Sequence, residues 1–448
     1  WSALLAPAIR AARDGYVVSD GLATTLATER DQFLKYPAAR ALYFRNGEPL
    51  RAGDTLHNPD LAWVLQQIAD KGADGFYKGE VAKRLVDDLR GHGSVMKLSD
   101  LDRYFAADRD PVSGTYRGYT LYSSAPPVAG GADLVASLNL LEHVKDPKPY
   151  PDDARTLNAM IQAWQLVPSG RGRIADPSLW PVDVQPFTSK DTADARWRCA
   201  DPAHALTVEA IRGDSITCAG PGGRTSRLDV DTPEPNWDPK RSMGTTAFTV
   251  ADAAGNIVAV TQTLGTWGGT FYVTPGLGFL YNDKLGSYST DPAAYGARLP
   301  FARHGSTIAP TIVFKGTGVD RQPFAAVGAA GNAWITAAVY QTLVGMLDDH
   351  LGPQAALELP RFLLGGGSFA RAGRGGRRAA PSGVSIQMED GFSPDVVRRL
   401  RAMGYDPRFV SLIGERREGY GAAVMIHDGK VTAGADPRRS GTAGAVGH

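Results

Sequence analysis

The chain has 448 residues and 43% hydrophobic content, enough for one large layered body or for two to three domains. Its 48 basic and 47 acidic residues set up no long-range field, which argues against nucleic acid or an anionic membrane as partner and favours a small neutral or zwitterionic substrate. The apolar run around Ala333–Leu347 is broken by polar residues, so it reads as a buried helix of a soluble protein rather than a membrane span.

The first apolar positions, Leu4, Leu5, Ile9 and Ala12, follow helical spacing. Leu61, Leu65 and Ile68, then Val81, Leu85 and Leu89, continue it and predict packing helices between residues 61 and 101. Tyr116–Tyr122 reads as a strand, and the Pro/Gly-rich stretch Ser124–Gly131 as a turn into a helix over Asp133–Val144. Cys199 and Cys218 are the chain's cysteines. They fit a disulfide in an exported protein or two buried thiols, and no metal set can be built from them. Residues 232–242 carry three prolines and many polar groups, the composition of an exposed linker open to cleavage.

Directly after that linker, Gly244-Thr245 opens the stretch around which the chain is organised. Residues 247–251 and 257–263 are rich in β-branched side chains and flank a Gly/Asn turn, the pattern of a hairpin. If the turn is symmetric about Ala254, Thr245 faces Thr263, because antiparallel partners lie equally far from the centre. Farther on, the run Phe324–Val327 leads into Gly328-Ala329-Ala330-Gly331-Asn332 and a helix from Ala333. A glycine turn opening a helix can present backbone N–H groups to a developing negative charge, although it can equally be a tight strand-to-helix turn. The eight histidines are scattered and form no Ser-His-Asp arrangement.

The run Thr-Thr-x-Phe-x-Val-x-Asp-x-x-Gly-Asn-x-Val-x-Val-Thr at 245–261 resembles the start of the small subunit of gamma-glutamyltransferases, which are N-terminal-nucleophile hydrolases. The resemblance extends through Phe76–Glu80, Gly114–Tyr119, Pro126-Pro127 with Gly130-Gly131, Phe187–Lys190, Ser306-Thr307 with Ala309–Val313, Gly328–Asn332 and Phe392–Asp395. It implies an α/β fold, the four-layer αββα sandwich. It also implies a precursor cut before Thr245 into a large-subunit part (1–244) and a catalytic small-subunit part (245–448), which form a heterodimer. A further N-terminal segment is expected in front, carrying an arginine for the substrate's α-carboxylate.

By the same resemblance Thr245 is the nucleophile, and its freed α-amine, with a reference pKa near 8, is the tethered base. Thr263 orients it, Gly331 and Asn332 form the oxyanion hole, and Ser306 and Thr307 bind the α-carboxylate. Gly244 adds little bulk beside the attacking hydroxyl. The departures fall on substrate contacts. Gly265 stands where the family has asparagine, Lys284 where it has glutamine, and Ser287 where it has an acid for the substrate's amino group. Asn332 replaces a glycine and Ala247 a histidine, while Asp283 lies close enough in sequence to restore an acid. No cofactor or metal is expected.

Three functions are open at this point. The first is cleavage of a gamma-glutamyl amide through an acyl-enzyme; the second keeps the threonine chemistry on a different amide or on a carbon–carbon bond beside a carbonyl. The third is an inactive scaffold. Gly365–Gly383, rich in arginine, reads as a solvated loop rather than a polyanion site. Trp267 either walls a pocket or packs under the strands.

Overall fold

The computed structural model describes residues 1–167, 174–206, 243–332, 334–364, 384–410, 419–439 and 441–446. The linker at 232–242, the loop at 365–383 and Cys218 lie outside the described residues. Cys199 is disulfide-bonded, so it is not one of two buried free thiols. The chain divides into two compact units, one comprising 1–108, 240–244 and 264–283, the other 109–239, 245–263 and 284–448.

The first unit is helical. α1 (Ser2–Asp14), α2 (Pro59–Lys71) and α3 (Gly79–Gly91) carry the periodic apolar positions. Asn58 caps α2 by accepting from the Leu61 N–H at 3.0 Å, one of the four donors a helix start leaves open. Trp267 packs here, edge-on to Phe33 with ring centroids 6.0 Å apart. Partly buried, it packs against a cluster built on Leu26, Phe33, Phe44 and Phe271.

The second unit is built on a six-stranded antiparallel sheet. Its strands are β1 (Val112–Tyr116), β2 (Tyr119–Ser123), β5 (Thr311–Lys315), β6 (Gln322–Ala330), β7 (Tyr420–His427) and β8 (Lys430–Ala435), in the order β8-β7-β6-β5-β2-β1. The single strand expected over 116–122 is in fact the β1–β2 hairpin. Arg117 and Gly118 both adopt positive φ, 45° and 86°, the two-residue turn whose twist suits adjoining strands; arginine in its first position hides the signal.

α4 (Gly130–Leu141) packs on β1 and β2, α5 (Ala154–Gln165) packs on α4, and α6 (Trp334–Leu347) packs on β6 and on α4. α4 begins three residues before its expected start. Gly130 and Gly131 make that possible, since a Cβ on either would stand 2.3 Å from the Ile308 carbonyl oxygen or 2.2 Å from that of Ser124. Along β6, Ala325, Val327 and Ala329 join the core shared with these helices. The strand's period of two sends Gly328 to the opposite face.

On that face lies the hairpin of β3 (Met243–Ala251) and β4 (Ile257–Thr266). A Cβ at Gly328 would be 3.3 Å from the Ala247 Cβ and 3.5 Å from the Thr261 hydroxyl, so glycine lets the two sheets close on each other. The result is a helical layer, the six-stranded sheet and the hairpin sheet, three successive layers of the αββα order. Asp252 fixes the hairpin turn by accepting from the N–H groups of Ala254 at 3.0 Å and Asn256 at 2.9 Å, with Gly255 at φ 86°.

Candidate active site

The hairpin brings its two threonines together as symmetry about Ala254 predicts. Thr245 Oγ1 donates to Thr263 Oγ1 at 2.9 Å, and Thr245 is only 1% exposed. A hydroxyl so placed has one fixed orientation. The Thr245 carbonyl accepts from Arg439 Nη1 at 2.8 Å, and the Arg439 guanidinium lies 4.4 Å from the centre of the Tyr420 ring, within cation–π range.

Gly331 and Asn332 form the turn between β6 and α6, both with positive φ, 134° and 49°. Their carbonyls are engaged, Gly331 by the Trp334 N–H at 2.9 Å and Asn332 by that of Ile335 at 3.2 Å. That leaves the turn's own N–H groups at the positive end of a 14-residue helix, the polarity an oxyanion needs. A Cβ at Gly331 would come within 2.8 Å of the Gly419 Cα, so only glycine fits.

Ser306 and Thr307 run beside this turn. Thr307 Oγ1 donates to the Asn332 carbonyl at 3.1 Å, and the Thr307 carbonyl accepts from Thr336 Oγ1 at 2.8 Å. The Ser306 carbonyl accepts from the Ala129 N–H at 2.9 Å. Thr307 is thus tied to the turn through its hydroxyl, while the Ser306 hydroxyl accepts from the Ile308 N–H at 3.4 Å. Lys284 and Ser287 begin and end a short 3-10 turn. Burial pushes the His304 imidazole down, and the charge of Lys284 adds to that.

In the first unit, Gly265 has φ 101°, and its absent Cβ would overlap the Asp283 carboxylate, 1.6 Å from Oδ1. Asp283 accepts from Thr266 Oγ1 at 2.5 Å and from the Thr266 N–H at 3.3 Å. An acid therefore does stand against residue 265, and its presence excludes any side chain there. Gly244 is equally constrained, for a Cβ would stand 2.3 Å from the Thr266 carbonyl oxygen.

Sequence reasoning missed the buried charges that support the site. Arg361 and Arg438, 1% and 2% exposed, pair with Asp436 at 2.6 and 3.1 Å, and Arg438 pairs with Glu389 at 2.5 Å. Burial pushes the Asp436 carboxyl up, but the two arginines outweigh it and leave the group below its ordinary range. Arg361 Nη1 also donates to the Gly419 carbonyl at 2.5 Å, and Asp436 accepts from the Gly421 N–H at 2.8 Å. The network fixes Gly419, against which Gly331 packs, and anchors the segment that carries Arg439. Among the described residues there is no cluster able to hold a metal ion, and no helix is long and apolar enough to cross a membrane.

The α/β layers with a buried, hydrogen-bonded threonine at a hairpin mouth define an enzyme of the N-terminal-nucleophile hydrolase class. The gamma-glutamyltranspeptidase family profile matches residues 1–446, and the chain belongs to that family. It is 31% identical over 445 residues to the glutathione hydrolase proenzyme of Escherichia coli (strain K12), covering 96% of this chain and 69% of that protein. Identity to the acylase ACY 1 proenzyme of Pseudomonas sp. (strain SE83) is 27% over 448 residues, 99% of this chain and 71% of the relative. The crystal structure of cephalosporin acylase from Bacillus halodurans shares the fold, with a TM-score of 0.79 at 24% identity over 100% of this chain and 75% of that one.

Proposed function

We propose that the chain is an N-terminal threonine hydrolase or acyltransferase, processed before Thr245 into the parts 1–244 and 245–448. The observation that carries this reading is the buried Thr245–Thr263 hydroxyl pair at 2.9 Å. In the precursor, Thr245 Oγ attacks the Gly244 carbonyl, the acyl group moves from nitrogen to oxygen, and water hydrolyses the ester. In the mature enzyme the freed α-amine takes the hydroxyl proton, Oγ attacks the substrate's amide carbonyl, and the N–H groups of Gly331 and Asn332 receive the oxyanion. The leaving amine departs with a proton, and water or an acceptor amine releases the acyl group. The names of the E. coli and Pseudomonas relatives as proenzymes support processing.

The substrate in this reading is a small gamma-glutamyl amide or a relative of it, with Ser306 and Thr307 at its α-carboxylate. A second reading, amide cleavage on a non-glutamyl acyl group, is favoured by two observations. Asp283 fills the space of any side chain at 265, and a hydroxyl at 287 cannot give an ammonium the charge-assisted bond of a carboxylate. Intact mass and N-terminal sequencing of wild type and Thr245→Ala test the processing: a fragment starting at Thr245, absent in the variant, is expected, and a wild-type chain that stays whole refutes it. Turnover of glutamyl anilides against other acyl amides then separates the two substrate classes.

A further inference from the structure

We propose that Arg439 is a positioning residue for the nucleophile, holding Thr245 by its carbonyl and placing a positive charge beside its free α-amine; this rests on the processed-threonine reading above. Once the Gly244–Thr245 bond is cut, Thr245 becomes a chain end. Terminal residues fray unless something ties them down. Thr245 has two ties in the structure besides strand pairing, the Thr263 hydroxyl at 2.9 Å and Arg439 Nη1 on its carbonyl at 2.8 Å. The first orients the nucleophilic oxygen. The second fixes the backbone from which both the oxygen and the amine project.

The choice of arginine is informative. Holding a neutral carbonyl needs only a neutral donor, and Arg439 forms no ion pair among the described residues. Its guanidinium is spent on the carbonyl and on the Tyr420 ring at 4.4 Å. The carboxylates close to it in the chain and fold, Asp436 and Glu389, are taken by Arg361 and Arg438, and the Thr263 hydroxyl that faces Thr245 is a neutral group. A cation with no carboxylate partner among the described residues therefore stands within one residue's span of the amine that must be unprotonated to accept a proton. Like charge disfavours the ammonium form, so Arg439 enlarges the share of the enzyme carrying a free base near neutral pH. Tyr420 lies opposite Ala330 in the β6–β7 register, next to Gly331, so the same guanidinium ties the nucleophile to the oxyanion turn.

The test compares wild type, Arg439→Gln and Arg439→Lys, each checked by intact mass for a fragment starting at Thr245, with kcat/KM followed across pH on the best acyl amide of the screen. Loss of the charge is expected to lower kcat/KM by about 10- to 100-fold and to move its acid limb up by about half to one pH unit. Lysine is expected to restore the limb while recovering only part of the rate. Equal limbs in all three proteins, or a lysine variant shifted as far as glutamine, overturn the proposal and leave Arg439 a packing residue. If Arg439→Gln stays uncleaved, Arg439→Lys decides the matter, since it must process and keep the wild-type limb. A wild-type chain that never cleaves overturns the underlying reading and this inference with it, whereas a processed, active wild type with unshifted variants overturns this inference alone.

Discussion

Thr245 and Thr263, 18 positions apart, share a hydrogen bond of 2.9 Å between their side-chain oxygens, with Thr245 as donor. Thr263→Val keeps the side-chain volume but removes the acceptor, so the Thr245 hydroxyl loses its fixed rotor. Processing and turnover are both expected to fall by about 100-fold, while Thr263→Ser stays within about tenfold. Fragment formation over time by intact mass checks the first, and initial rates the second. A valine variant that cleaves and turns over at the wild-type rate would remove Thr263 from the mechanism.

Gly244 allows the strand end before the nucleophile to approach β4. With a Cβ 2.3 Å from the Thr266 carbonyl oxygen and 2.7 Å from the Trp267 nitrogen, Gly244→Ala runs into the 266–267 peptide, and backbone cannot swing away. The scissile peptide must shift, and self-cleavage is expected to slow by at least about tenfold. Gly91→Ala is the control, since nothing lies within 4 Å of its Cβ, and it is expected to cleave normally.

The threonine pair was legible because a hairpin imposes its own arithmetic: a Gly/Asn turn between two β-branched runs fixes which residues face each other. The helix-opening turn at Gly331 was legible for a similar local reason. Arg439 was not, since 194 positions separate it from Thr245 and no periodicity connects them. The Arg361–Asp436–Arg438–Glu389 network escaped notice because isolated charges in a sequence are ordinarily solvated, and only the fold brings them together. Gly265 shows the opposite limit. Its departure from the family pattern was visible, but the carboxylate of Asp283 occupying its side-chain space was a matter of three-dimensional approach. The Arg117-Gly118 turn was missed because its first position lacks the Asn or Asp that usually marks it.

Asp436 holds two buried guanidinium groups at once. Asp436→Asn keeps the shape and leaves both arginines short of charge, a loss of about 3–5 kcal/mol for a broken buried pair. Because the Asp436 carboxyl is held below its ordinary range, its contribution is present above the usual carboxylate pKa and disappears as pH falls through the depressed value. The denaturation midpoint of the variant is therefore expected to lie well below wild type at pH 7, with the gap narrowing in strong acid. Processing should slow as well, because the network positions Gly419 and the segment carrying Arg439.

Asp348 and Asp349 follow the last residue of α6, the negative end of a helix, where an acid is unfavourable. Asp348 is compensated by the Tyr116 hydroxyl at 2.7 Å and Arg117 at 3.1 Å. Among the described residues Asp349 has no such partner for its buried Oδ2; burial, together with the charge of Asp348, pushes its carboxyl up to about 6. A raised acid pKa means that the folded protein prefers the protonated form, so this group favours folding in acid and costs stability as pH rises from the unfolded value near 4 through 6. Asp349→Asn removes the cost and is expected to be more stable than wild type at pH 8 by about 1 kcal/mol after allowance for solvent screening. The advantage should shrink as pH falls below 6 and vanish near 4. Thermal midpoints of the two proteins across that range provide the check, and an advantage that grows toward acid would reverse the sign argued here.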